Sequence, residues 1–175
     1  VVVIEKGEPK SCNIVTSCEG KGKTFIMFSD DLDKALATFV LANGAAATGQ
    51  KVTIFFTFWG LNVIKKLHKP NVEKDIFGKM FGMMLPSSSR KLKLSKMSMG
   101  GIGGKMMRYI MNRKGIDSLE SLRQQALENG VEFIACQMSM DVMGVKQEEL
   151  LDEVTIGGVA TYMERADNAN INLFI

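Results

Sequence analysis

Short, nearly continuous apolar runs alternate along this chain with stretches whose apolar residues recur at helical spacing. Thr24-Phe25-Ile26-Met27-Phe28-Ser29 reads as a buried strand. Asp30-Asp31 then supply a helix cap ahead of Leu32, Ala35, Leu36, Phe39, Val40 and Ala42, and the stretch from Gly44 to Gly49 is expected to close that helix. Lys51 to Phe58 repeats the strand pattern, and a short helix from Trp59 towards Leu67 follows, which Pro70 cannot extend. Further on, Ser118 caps a helix bearing Leu119, Leu122, Ala126 and Leu127 that exits through Glu128-Asn129-Gly130. Val131 to Cys136 is a third strand, and Gln137 to Gly144 reads as a turn into a helix. A helical piece from Gln147 to Leu151, a short strand over Glu153 to Ile156, a helix from Gly158 to Ala169 and a strand over Ile171 to Ile175 complete the chain. Five strands separated by helices predict an α/β fold: a parallel, doubly wound sheet with helices on both faces.

The middle of the chain breaks this rhythm. Between Asp75 and Asp117 there is no acidic residue, while Lys79, Arg90, Lys91, Lys93, Lys96, Lys105, Arg108, Arg113 and Lys114 all fall there, although the whole chain is only +3. Met80, Met83, Met84, Met97, Met99, Met106, Met107 and Met111 share the block. Ile76, Phe77, Met80, Phe81, Met84 and Leu85 mark one face of an amphipathic helix stopped by Pro86, and Met107, Ile110 and Met111 mark a second. Ser87-Ser88-Ser89 and the glycines from Gly100 to Gly104 read as flexible joints between them. An insertion at about residues 71–116 is therefore expected. Its stripes suit a lid, an oligomer contact, or a surface for an acidic partner or a membrane, and they equally suit packing on the sheet.

Composition limits the function classes. With 175 residues and 46% hydrophobic content, the chain has the size of one core-forming domain, and no run of eighteen apolar residues suggests a membrane span. No signal-peptide pattern opens it, and the absent initiator Met and the strand-like Val1 to Ile4 suggest that residues 1–22 are a linker or the tail of a preceding domain. Cys12, Cys18 and Cys136 make no disulfide framework, so a reducing cytoplasm is the expected setting. Gly20-Lys21-Gly22-Lys23-Thr24 ends like a phosphate loop, but Ser17 replaces its first glycine and the segment precedes a strand. A dinucleotide fingerprint fails at Gly100 to Gly104 for want of a preceding strand, so no cofactor is expected. One histidine, His68, with scattered cysteines makes a zinc site unexpected. Nucleic acid is not expected either, since Tyr109 is the only Tyr or Trp within the basic block.

Cys136 remains as the candidate for chemistry. At the carboxyl end of a parallel strand and beside a helix amino terminus it occupies a place where ligands bind and a thiolate is favoured. Strand alternation can equally carry it into the core, where free cysteine is common. Asp30, Phe58 and Trp59 are expected at the same edge of the sheet and stand as candidate pocket residues, with Met138 and Ser139 beside the thiol.

Several separated blocks resemble the DsrE/DsrF/DsrH-like family, in its branch with a methionine-rich insertion. They are Ser29 to Ala35, Ala42 to Ala46, Phe55 to Leu61, Lys91 to Met97, Ala135 to Gly144 and Gly157 to Tyr162. The resemblance covers about Lys23 to Ile175, which makes 23–175 the domain. It implies a flavodoxin-like sheet, a homo-oligomer, and sulfur relay with sulfane sulfur held as a persulfide on Cys136, exchanged with donor and acceptor proteins of rhodanese-like and TusA-like kind. It also implies that the domain can stand behind a pyridine nucleotide-disulfide oxidoreductase, a rhodanese and a TusA-like module, whose closing strand Val1 to Lys6 resembles. Cys12 and Cys18 lie outside the family core and take no role. The competing expectation is a non-catalytic oligomerising or membrane-peripheral module that works through the basic, methionine-rich insertion.

Overall fold

The computed structural model describes residues 22–67, 86, 88–96 and 101–175. Five strands form one sheet: β1 (Gly22–Met27), β2 (Val52–Phe56), β3 (Glu132–Cys136), β4 (Thr155–Gly157) and β5 (Ala169–Phe174). Their order is β4-β3-β2-β1-β5, and every neighbouring pair is parallel. The helices are α1 (Leu32–Ala47), α2 (Ile102–Arg113), α3 (Leu119–Glu128), α4 (Gln137–Met143) and α5 (Val159–Asp167). The parallel, doubly wound α/β arrangement expected from the strand and helix rhythm is thus the observed one.

Burial follows from strand position. All five residues of the central β2 are buried, which is why its sequence, Val-Thr-Ile-Phe-Phe, shows no alternation. One face of the sheet presents Phe25, Met27, Ile54, Phe56, Phe133 and Ala135 to Leu32, Ala35, Phe39 and Ala42 of α1 and Leu119 and Ala126 of α3 in the main core. Phe39 meets Phe133 and Phe56 at ring separations of 5.8 and 6.5 Å. Asn43 ties the two helices together, donating to the Leu122 carbonyl at 2.9 Å. The opposite face is much more thinly covered: Phe55, Ile134 and Cys136 cluster there with Tyr162, the one buried residue of α5.

The first helix runs to Ala47, within the stretch expected to close it, and it passes Gly44 because a lone glycine on its exposed face costs only about 1 kcal/mol against a well-packed opposite face. Two other local expectations are corrected. Gly103 and Gly104 are not a joint; they are buried in the first turn of α2, where a Cβ on Gly104 would stand 3.2 Å from the Leu92 carbonyl oxygen. Ser88 and Ser89 are buried too, and Ser89 donates to Glu120 at 3.0 Å while Arg108 donates to its carbonyl at 2.9 Å. Much of the described part of the expected insertion is therefore built into the domain: Leu92 enters the main core, and Lys93 accepts a hydrogen bond from the first amide of α1 at 2.7 Å. The expected Ile76 to Leu85 stripe, His68, Cys12 and Cys18 lie outside the described residues.

A buried polar link closes this side. Arg123 of α3 is buried and donates to the Val63 carbonyl at 2.8 Å, its pKa held below the ordinary arginine value by burial. Between β2 and this point the expected short helix is a 3₁₀ stretch, Phe58–Ile64. Phe58 has φ +46°, in the left-handed region, so the chain turns sharply as it leaves β2.

Candidate functional site

Because all strands are parallel, their carboxyl ends line one edge of the sheet, and the chain leaves that edge in two directions. From β3 it enters α4, whose Met140 and Met143 pack into the main core. From β4 it enters α5, whose Tyr162 packs on the opposite face. β3 and β4 are neighbours, so the chain diverges between them, and the residues at the divergence are the register partners Cys136 and Gly157. Such a divergence is the topological switch point of a doubly wound sheet, the place where these folds bind ligands.

Cys136 is the last residue of β3 and the residue before α4, which starts at once at Gln137 with no intervening turn. Its side chain is only 1% exposed and shares the small cluster with Phe55, Ile134 and Tyr162. Alternation along β3 thus carries the thiol into the thinly covered face. On one side the residue that follows β2, beyond the Phe56–Ala135 pair, is Thr57, whose hydroxyl meets that of Ser139 at 2.8 Å in a buried pair. On the other side Gly157 has no side chain, and none would fit: its Cβ would approach Ile134 Cγ2 to 2.9 Å and Thr161 Cβ to 3.4 Å.

Apart from Ser139, the other sequence-derived candidates share the edge without converging on the thiol. Met138 is exposed on the outer side of α4, and Ser139 is fully buried. Phe58 stacks near Phe28 at 5.5 Å, and Phe28 near Phe174 at 5.7 Å, while Trp59 is exposed. Asp30 follows β1, two strands away from Cys136 in the sheet order, and accepts a hydrogen bond from Asn62 Nδ2 at 3.0 Å. Sequence reasoning gave no role to Thr57, Gly157 or Tyr162. All three sit within blocks that carried the resemblance, but only the strand register, for Thr57 and Gly157, and the packing of α5, for Tyr162, reveal that they border the thiol.

Asp30 has its own electrostatics. Burial raises its carboxyl above the ordinary value of 3.8, more than the Asn62 hydrogen bond lowers it. Asn62 is fully buried, and its Oδ1 has no hydrogen-bond partner among the described residues. A raised carboxylate pKa means that the fold prefers the protonated form, so stability falls as pH rises from the ordinary value through the raised one. Asp30→Asn should remove that penalty and place an N–H beside Asn62. We expect a higher Tm than wild type at neutral pH, with the difference shrinking as the pH is lowered towards 3.8; equal Tm values at both ends would contradict it.

At the far end of α5, Arg165 Nε and Nη2 donate to the two oxygens of Glu132 at 2.9 and 3.2 Å, and Thr53 donates to the same carboxylate at 2.9 Å. The Arg165 hydrogen bonds hold the Glu132 carboxyl below its usual range. Among the described residues no group of three or more His, Cys, Asp or Glu side chains could hold a metal ion, and no helix is long and apolar enough to cross a membrane.

Known proteins share both the sequence pattern and the fold. Residues 20–174 match the model of the DsrE/DsrF/DrsH-like family. The chain is 44% identical over 155 residues to the uncharacterized protein YrkE of Bacillus subtilis (strain 168), covering 89% of this chain and 97% of that protein. It is 38% identical over 161 residues to the sulfur carrier protein DsrE2 of Allochromatium vinosum, covering 90% of this chain and 99% of that protein. Among solved structures, the ychN protein of E. coli superposes with a TM-score of 0.52 over 88% of this chain and 99% of its own, at 11% identity, a likeness of fold.

Proposed function

The chain belongs to the DsrE/DsrF/DrsH-like family, and from that premise we propose that it works in sulfur relay, carrying sulfane sulfur as a persulfide on Cys136. The observation that carries the reading is the position of this thiol at the switch point of the sheet. The chemistry needs few other groups. The Cys136 thiolate attacks the outer sulfur of a donor persulfide; the donor S–S bond breaks, a new S–S bond forms on Cys136, and the donor leaves as a thiolate. An acceptor thiolate then attacks the outer sulfur on Cys136 and releases the Cys136 thiolate again. Each step exchanges one S–S bond for another, so no external oxidant or reductant is consumed. The donor and acceptor are thiol proteins, with rhodanese-like and TusA-like modules as the proposed kinds, and the working form is a homo-oligomer. Incubation with a persulfide donor followed by intact mass measurement tests the reading. A gain of one sulfur on the protein is expected; unmodified protein after several donors would end it.

A second reading has one observation in its favour. Ile102, Met106, Tyr109 and Ile110 of α2 are all exposed, from 40% to 65%, and their spacing puts them on one side of the helix. Lys105, Arg113 and Lys114 flank that stripe, a combination that suits the surface of an anionic membrane. Sedimentation with anionic liposomes should separate wild type from a variant carrying Ile102→Ser, Tyr109→Ser and Ile110→Ser if this surface binds lipid. Equal soluble fractions would remove the membrane reading.

A further inference from the structure

A sulfur-carrying thiol must meet a donor and an acceptor, yet Cys136 is 1% exposed. We propose that α5 is a gate over Cys136, hinged at Gly158, and that its opening regulates access to the thiol. This inference deepens the sulfur-carrier reading and rests on it for its purpose, although the motion itself can be tested without sulfur chemistry.

The fold offers few ways to uncover the thiol. Cys136 lies on the face of the sheet away from the main core, so α1 and α3 do not cover it. α4 is anchored in the main core by Met140 and Met143, both 3% exposed, and by the Ser139–Thr57 hydroxyl pair. Moving it would break the main core. α5 is different in each respect. It is nine residues long and buries only Tyr162. Val159 and Met163 are exposed, at 52% and 53%, so its outer side has no apolar anchor among the described residues.

The attachments of α5 are few and specific. Tyr162 stacks near Phe55 at 5.2 Å, and its hydroxyl lies 3.3 Å from Thr24 Oγ1. Arg165 makes the two-point contact with Glu132 described above, at the end of the helix remote from the thiol. At the near end the helix is joined to three-residue β4 through Gly157-Gly158. No atom lies within 4 Å of the position that a Cβ would take at Gly158, so nothing packs against the hinge there. Segments with few buried apolar contacts open locally at a fraction of the cost of global unfolding. Lifting α5 breaks the Tyr162 contacts with Phe55 and Thr24, the packing of Ala166 and one ion pair, and it uncovers the cluster that holds Cys136.

The test is the alkylation rate of Cys136 by iodoacetamide in the whole protein, with peptide mapping to separate it from Cys12 and Cys18. In wild type the rate should be nearly independent of urea below the unfolding transition, as local opening requires. Arg165→Ala should raise that rate about five-fold, the effect of losing a partly exposed ion pair. Gly158→Ala, which stiffens the hinge in a region with room for the methyl group, should lower it. Phe39→Leu, on the opposite face, should leave it unchanged while lowering global stability. A wild-type rate that follows global unfolding, or equal acceleration by Phe39→Leu and Arg165→Ala, would overturn the gate. Because alkylation uses no persulfide, a failed gate leaves sulfur loading to stand or fall separately, and failed loading leaves the alkylation result intact.

Discussion

Cys136→Ser is expected to abolish sulfur loading while leaving the fold in place. The chain has three cysteines, so a gain of one sulfur in the intact mass does not by itself assign the site. Peptide mapping after loading should put the added sulfur on Cys136, and a Cys12→Ser/Cys18→Ser double variant should load as wild type does. Serine at 136 places a hydroxyl in a cluster otherwise made of Phe55, Ile134 and Tyr162, and an unsatisfied hydroxyl there costs about 1–3 kcal/mol. Cys136→Ala avoids that penalty and leaves only a small void, so it reads loading even if the serine variant folds poorly. Thermal unfolding of both variants separates lost chemistry from lost structure. Retained loading in either folded variant would remove Cys136 from the mechanism.

Gly60→Ala is expected to cost on the order of 3–5 kcal/mol of stability, the range of severe single substitutions. A Cβ at position 60 would stand 1.9 Å from the Met27 carbonyl oxygen and 2.7 Å from its carbon. The obstacle is backbone, so no side-chain rotation relieves it. Nor can the turn move away easily, because the Gly60 amide donates to the Phe28 carbonyl at 2.8 Å and to Thr57 at 3.0 Å, while Met27 is fully buried in the core. Met27 and Thr57 also sit at the carboxyl edge of the sheet, so a shift here would displace the Thr57–Ser139 pair beside Cys136. Urea denaturation should show a lower midpoint with an unchanged slope. Gly44→Ala is the matched control: no atom lies within 4 Å of its Cβ position in α1, and it should gain about 1 kcal/mol. A Gly60→Ala midpoint equal to wild type would mean that the close approach to Met27 does not constrain the fold.

The two glycines show why sequence reading reached some features and missed others. Gly44 read as part of a helix exit and Gly60 had no reading of its own, yet one sits on an open helix surface and the other against the end of β1. The same contrast holds for Gly103 and Gly104, which read as a joint because glycine clusters usually are, and which are instead buried in α2, where Gly104 lets the helix approach Leu92. Local composition carries no record of which distant backbone comes near.

What the sequence determined by itself was the alternation of strands and helices, and with it the parallel sheet and the placing of Cys136 at a strand end. Those features follow from local periodicity, which each segment carries whatever its partners. Only the tertiary structure decided that β3 and β4 are neighbours, that their helices leave on opposite faces, and that the thiol at their divergence is covered by a thinly held α5. Strand order and the covering of a face arise from contacts between residues far apart in the chain, such as Tyr162 with Phe55 and Arg165 with Glu132. No local pattern of apolar and polar positions encodes them.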